Sequence, residues 1–106
     1  MIDRERLQEL RREIGDEDFS DVVAMFLEEM GETLAGLLAE PGAADADALH
    51  GLRGSALNLG FSDFAAACTQ AETRVAKGAA VDVVHLDWLF RQSVAGLGED
   101  LPVCAA

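Results

Sequence analysis

The chain holds two histidines, and one of them stands in a pattern that could support chemistry. His50, Arg53, Gly54 and Leu57 recur at i, i+3, i+4 and i+7, the spacing that puts four residues on one stripe of an α-helix. At about 100° per residue, that stripe lies a quarter-turn or more from the apolar face of Leu49, Leu52, Ala56 and Leu59. His50 is therefore expected at the edge of the core, open to water. Gly51 and Gly54 are poor helix-interior residues, each costing roughly 1 kcal/mol against Ala. Gly54 follows His50 by one turn on the same face, so its missing side chain clears the approach to the imidazole. Such clearance suits a reaction with another macromolecule.

The reaction these residues suit is nucleophilic acceptance of a phosphoryl group. A neutral imidazole nitrogen can attack phosphorus held in a partner's site. Arg53, one turn on, can hydrogen-bond the phosphoryl oxygens that result. The other ring nitrogen needs a carboxylate or amide to fix tautomer and orientation.

Metal binding is the competing reading. Asp47 and His50 form an Asp-x-x-His pair, and Asp82 and His85 repeat the spacing. Helical dinuclear sites use Glu-x-x-His twice with two further glutamates, and Glu28, Glu29 and Glu72 could supply those. Against it, Asp is shorter than Glu, and both aspartates fall in a first helical turn, where they suit the helix dipole. The phosphoryl reading is preferred, and no metal or cofactor is expected in this chain.

The elements that must carry this stripe read as helices almost throughout, with no convincing period-2 stretch. Leu7, Leu10 and Ile14 mark a short first helix stopped at Gly15. Asp16, Glu17 and Asp18 lead into a long stripe from Phe19 through Val22, Val23, Phe26, Leu27, Met30, Leu34, Leu37 and Leu38 to Pro41 and Gly42. A third helix opens between Ala43 and Asp47 and closes at Gly60. Ser62 is the expected cap of a fourth, bearing Phe64, Cys68, Ala71 and Val75 and ending near Gly78. Asp82 is the expected cap of a fifth, bearing Leu86, Leu89, Phe90, Val94 and Leu97 and ending near Gly98. Trp88 is read as packing at the core rim, and His85 as an ordinary helix residue. Short connections make successive helices antiparallel neighbours. The expectation is an all-α, up-down-up-down four-helix bundle with a short extra N-terminal helix, forming one domain over residues 1–106.

Composition narrows the partners. The 106 residues carry 20 acidic against 8 basic side chains, for a net charge of −12. That surface repels phosphate backbones and anionic lipid, so neither nucleic acid nor membrane is expected as partner. Cys68 and Cys104 are too few for a disulfide framework, and Cys68 falls within an apolar helical pattern. Met1 and Ile2 are followed at once by charged residues, which does not suit a leader, and no run suits a membrane span. A cytoplasmic monomer is expected.

The run from Leu49 to Gly60 resembles the active helix of histidine-containing phosphotransfer (HPt) domains. After the histidine that family has Leu at +2, Lys or Arg at +3, Gly at +4, Ser or Ala at +5 and Gly at +10, met here by Leu52, Arg53, Gly54, Ser55 and Gly60. Phe61, Phe64, Cys68 and Glu72 extend the resemblance onto the next helix. By position, His50 resembles the phosphoacceptor, Arg53 the basic residue near the phosphoryl group, and Glu72 the residue that orients the imidazole. Gly54 resembles the glycine that opens the surface, and with Gly51 and Leu57 it makes the expected binding face for a partner. Gly51 departs from the Ser or Thr common after the histidine, and Arg53 from the commoner Lys. The resemblance implies a phosphorelay carrier without kinase activity. Its expected partners are response-regulator receiver domains and a sensor histidine kinase, hybrid or otherwise, with Mg²⁺ supplied by the receiver.

Overall fold

The computed structural model describes residues 2–100, apart from the side chains of 98–100; Cys104 lies outside them. Five α-helices carry the described chain: α1 (Arg4–Ile14), α2 (Asp16–Ala39), α3 (Ala46–Leu59), α4 (Ser62–Ala76) and α5 (Val83–Asp100). A 3₁₀ turn, Pro41–Ala43, joins α2 to α3. The long helices form a ring in which α2 packs on α3, α3 on α4, α4 on α5 and α5 back on α2, while α1 packs across α2 and α3. Leu34, Val23 and Met30 from α2, Leu49, Ala56 and Leu59 from α3, Phe64 and Cys68 from α4, and Leu97 from α5 are wholly buried inside it.

Local chemistry sets the boundaries. A 3₁₀ turn at Pro41 precedes α3, which opens at Ala46, inside the expected stretch, where the Asp45 carboxylate accepts from the Ala48 N–H at 2.9 Å. At the far end of α3, Gly60 adopts a left-handed φ of 74°. The Phe61 N–H then reaches back to the Ala56 carbonyl at 2.8 Å, closing a Schellman motif. Ser62 is accordingly the first residue of α4, not its cap. Phe61 holds the cap position without a side-chain bond, because its ring is driven into the core. Asp82 caps α5 as expected, accepting from the His85 N–H at 3.0 Å, and that helix ends at Asp100, near Gly98. Trp88 is not rim packing: it is 53% exposed and stacks on His85, since Leu86, Leu89 and Phe90 fill the inward positions. Leu38, at the end of the α2 stripe, is likewise exposed.

Residues 2–14 seal one end of the bundle. Ile2 pairs with Phe61 through an isolated antiparallel bridge, and the Asp3 N–H donates to the Gly60 carbonyl at 2.6 Å. Leu7 and Leu10 are buried beneath α1, and Arg6 donates from Nη2 to Asn58 Oδ1 on α3 at 3.0 Å.

Candidate functional site

The middle of α3 presents His50, whose side chain is 71% exposed. Its neighbours Leu49 and Leu52 are buried and fix the phase of the helix, which turns His50 outward. A Cβ placed on Gly51 or on Gly54 would meet nothing within 4 Å. Both glycines therefore leave open surface beside the ring, and no packing constraint inside the fold requires them. Leu57, two turns beyond His50, is 53% exposed and gives the stripe an apolar end.

Glu72 reaches the site from α4, and Arg53 lies between it and the histidine. Arg53 Nη2 is 2.9 Å from His50 Nδ1. Arg53 Nε is 3.1 Å from Glu72 Oε2, and Glu72 Oε1 is 3.7 Å from His50 Nδ1. The first contact is a hydrogen bond. The second is an attraction of opposite charges whose N–H is misdirected, so the buried Arg53 Nε has no hydrogen-bond partner. The third lies beyond hydrogen-bond length. Both contacts to the ring are made at Nδ1, so Nε2, across the ring, is the nitrogen free to meet a partner. Glu72 was expected to orient the imidazole; it stands beside Nδ1, and the hydrogen bond to that nitrogen comes from Arg53.

Beneath this trio sits Cys68, with no exposed surface. Burial pushes its thiol up to about 12, and the Glu72 carboxylate adds to the rise while Arg53 opposes it. This thiol is a packed, neutral side chain and no nucleophile.

A family model described as Hpt domain matches residues 21–99. The chain belongs to the Hpt domain family. No curated protein and no solved structure matches it. Domains of this family are phosphocarrier modules of phosphorelays, acting with receiver domains and kinases. The matched stretch holds α3, α4 and every residue of the site, and begins after α1.

The rest of the Hpt domain surface sorts the remaining candidates. Gly51 opens onto a groove of about 290 Å³ between α2 and α3, lined by Glu29, Thr33, Asp47, Ala48 and Ser55 among others. Sequence reasoning missed this groove, although the i, i+4, i+8 spacing of Asp47, Gly51 and Ser55 marks one face. The alternative metal site does not assemble. Among the described residues no three His, Cys, Asp or Glu side chains come together as a metal would need, and the Asp82 carboxylate is engaged in capping α5. Among the described residues, no helix is long and apolar enough to cross a membrane.

Proposed function

We propose that His50 is the phosphoacceptor of a phosphorelay carrier, taking a phosphoryl group from the aspartyl phosphate of one receiver domain and passing it to the aspartate of another. The observation that carries this reading is an outward-facing imidazole on α3 flanked by two glycines with open space above them, in a chain of the Hpt domain family. Nε2 attacks phosphorus while the acyl-phosphate P–O bond breaks and its electron pair leaves with the aspartate. Arg53 then lies one turn from the new phosphoryl oxygens, to which its guanidinium can donate. Glu72 holds the Nδ1 proton of the ring and stabilises the charge it gains. Gly54, Gly51 and Leu57 form the face against which the receiver sits.

The chain carries no Gly-rich nucleotide loop, so ATP chemistry belongs to the sensor kinase, and the receiver brings the magnesium. The domain acts as a reactant without turnover of its own. Residues 1–106 form one domain, with the four long helices running up-down-up-down because their connections are short. It works as a cytoplasmic monomer.

The test is incubation with a receiver domain carrying labelled aspartyl phosphate. Label is expected on His50 alone, acid-labile and base-stable as a phosphoramidate is. His50→Gln should abolish it without changing the helical circular dichroism. Label that persists in this variant, or that resides on His85, overturns the assignment.

A further inference from the structure

We propose that Arg53 parks the resting His50 in the tautomer that cannot attack, and that its transfer to incoming phosphoryl oxygens is what arms Nε2. The inference rests on the carrier role given above and adds a positioning task for Arg53 before any phosphate is bound.

Donors and acceptors fix the tautomer. A guanidinium has five N–H donors and no acceptor. The 2.9 Å contact from Arg53 Nη2 to His50 Nδ1 therefore uses the Nδ1 lone pair. A neutral imidazole has one N–H, which must then be on Nε2. In that tautomer the outward nitrogen carries a proton and has no lone pair to give to phosphorus. The resting ring is chemically closed on its exposed side.

The carboxylate that would reverse this is already in place. Glu72 Oε1 stands 3.7 Å from Nδ1, too far to hydrogen-bond and near enough to close with a small side-chain movement. An ionised carboxylate only accepts, so a Glu72 contact to Nδ1 demands Nδ1–H and leaves the lone pair on Nε2. Arg53 and Glu72 thus select opposite tautomers through the same nitrogen, and only one can occupy it.

Arg53 is held in a compromise. An unconstrained Arg and carboxylate prefer two parallel N–H···O bonds. Here Nε lies 3.1 Å from Glu72 Oε2 with its N–H misdirected, and this buried Nε has no hydrogen-bond partner. The guanidinium spans the imidazole and the carboxylate, hydrogen-bonded to the ring but only charge-paired with Glu72. A phosphoryl group offers three charged acceptors on the exposed side of the stripe, a better set than a neutral ring nitrogen.

The step balances. As Arg53 moves to the phosphoryl oxygens, Nε2 releases its proton to water and Nδ1 takes one from water, with no net change. The ring is 71% exposed, so water reaches it. Nδ1–H donates to Glu72, the Nε2 lone pair forms the N–P bond, and the P–O bond breaks with its electron pair to the aspartate. The positive charge that develops on the ring faces the Glu72 carboxylate.

The test reads the tautomer in the unphosphorylated protein with no partner present. Ring ¹⁵N shifts of His50 are recorded at about pH 8.5, where an ordinary imidazole is neutral. Removing the Arg53 hydrogen bond by Arg53→Ala should raise the ratio of Nδ1–H to Nε2–H by roughly 2- to 10-fold. Adding Glu72→Ala should return the ratio to the wild-type side. Both side chains are partly exposed, and a conserved backbone ¹H–¹⁵N spectrum verifies the fold. An unchanged ratio in Arg53→Ala, or a ratio that stays high in the double variant, overturns the proposal. Neither outcome touches the labelling experiment. A carrier that labels at His50 while its tautomer ignores Arg53 keeps the carrier role and loses the latch.

Discussion

Position 54 is where a single atom separates folding from recognition. Gly54 lies inside α3, and a Cβ there would meet nothing within 4 Å. Gly54→Ala should therefore stabilise the domain by up to about 1 kcal/mol, the helix-propensity difference. A larger side chain projects into the open space that the proposed reaction leaves to a receiver. Gly54→Leu should keep the wild-type melting temperature and slow transfer from a phosphorylated receiver. Thermal melts beside transfer rates separate the two effects. Unchanged transfer would make Gly54 an incidental glycine. The stripe of His50, Gly54 and Leu57 was legible in the sequence because it depends only on helical periodicity. The Arg53 contact to Nδ1 was not. Sequence reasoning gave Arg53 the phosphorylated form and Glu72 the free ring. Which of two long side chains reaches a nitrogen first depends on the placement of α4 against α3, which spacing along one helix does not encode.

At the scale of elements, the turn between α3 and α4 is the joint that holds the site. Gly60 combines a left-handed φ of 74° with the closest approach of the N-terminal segment. A Cβ at position 60 would run into the Asp3 carbonyl oxygen. Left-handed backbone costs an L-residue roughly 1–2 kcal/mol before that collision is counted. Gly60→Ala should lower the melting temperature by roughly 5–15 °C, the shift such a loss gives a domain of this size. A melting temperature within about 2 °C of wild type would contradict the joint's role. Gly60 as the end of α3 was readable from its type and position. That Ser62 would yield the cap position to Phe61 was not, because a cap preference of about 1 kcal/mol is outweighed by burying a phenyl ring. Asp45 caps α3 just after the 3₁₀ turn at Pro41, and Asp47 falls in the first turn, where it suits the helix dipole.

For the molecule as a whole, Cys68 links the site to global stability. Burial, reinforced by Glu72, raises its thiol from 9.0 to about 12 in the folded chain. In the unfolded chain it ionises near its ordinary value. Between about pH 9 and 12 the unfolded state thus binds fewer protons than the folded one, and stability falls as pH rises. Below pH 9 the contribution is fully present. Urea unfolding over this range should lose up to about 1.4 kcal/mol per pH step from this group. Cys68→Ala should start lower, because a buried sulfur is removed, and decline with a shallower slope. Equal slopes would show that the thiol titrates alike in both states. The closure of the bundle end by residues 2–14 also belongs to this scale, since Ile2 and Asp3 meet Phe61 and Gly60 across more than half the chain.

The sequence by itself determined that the chain is helical, roughly where each helix starts and stops, and that His50 faces outward beside two glycines. These follow from interactions within one or two helical turns, which residue type and spacing describe directly. Tertiary structure alone decided that Arg53 stands between His50 and Glu72, that Trp88 faces solvent, and that Phe61 takes the core in place of a polar cap. The first depends on how α4 sits against α3, the second on which α5 residues the packed helices bury, and the third on the burial of a phenyl ring; distance and burial settle all three once the helices have packed.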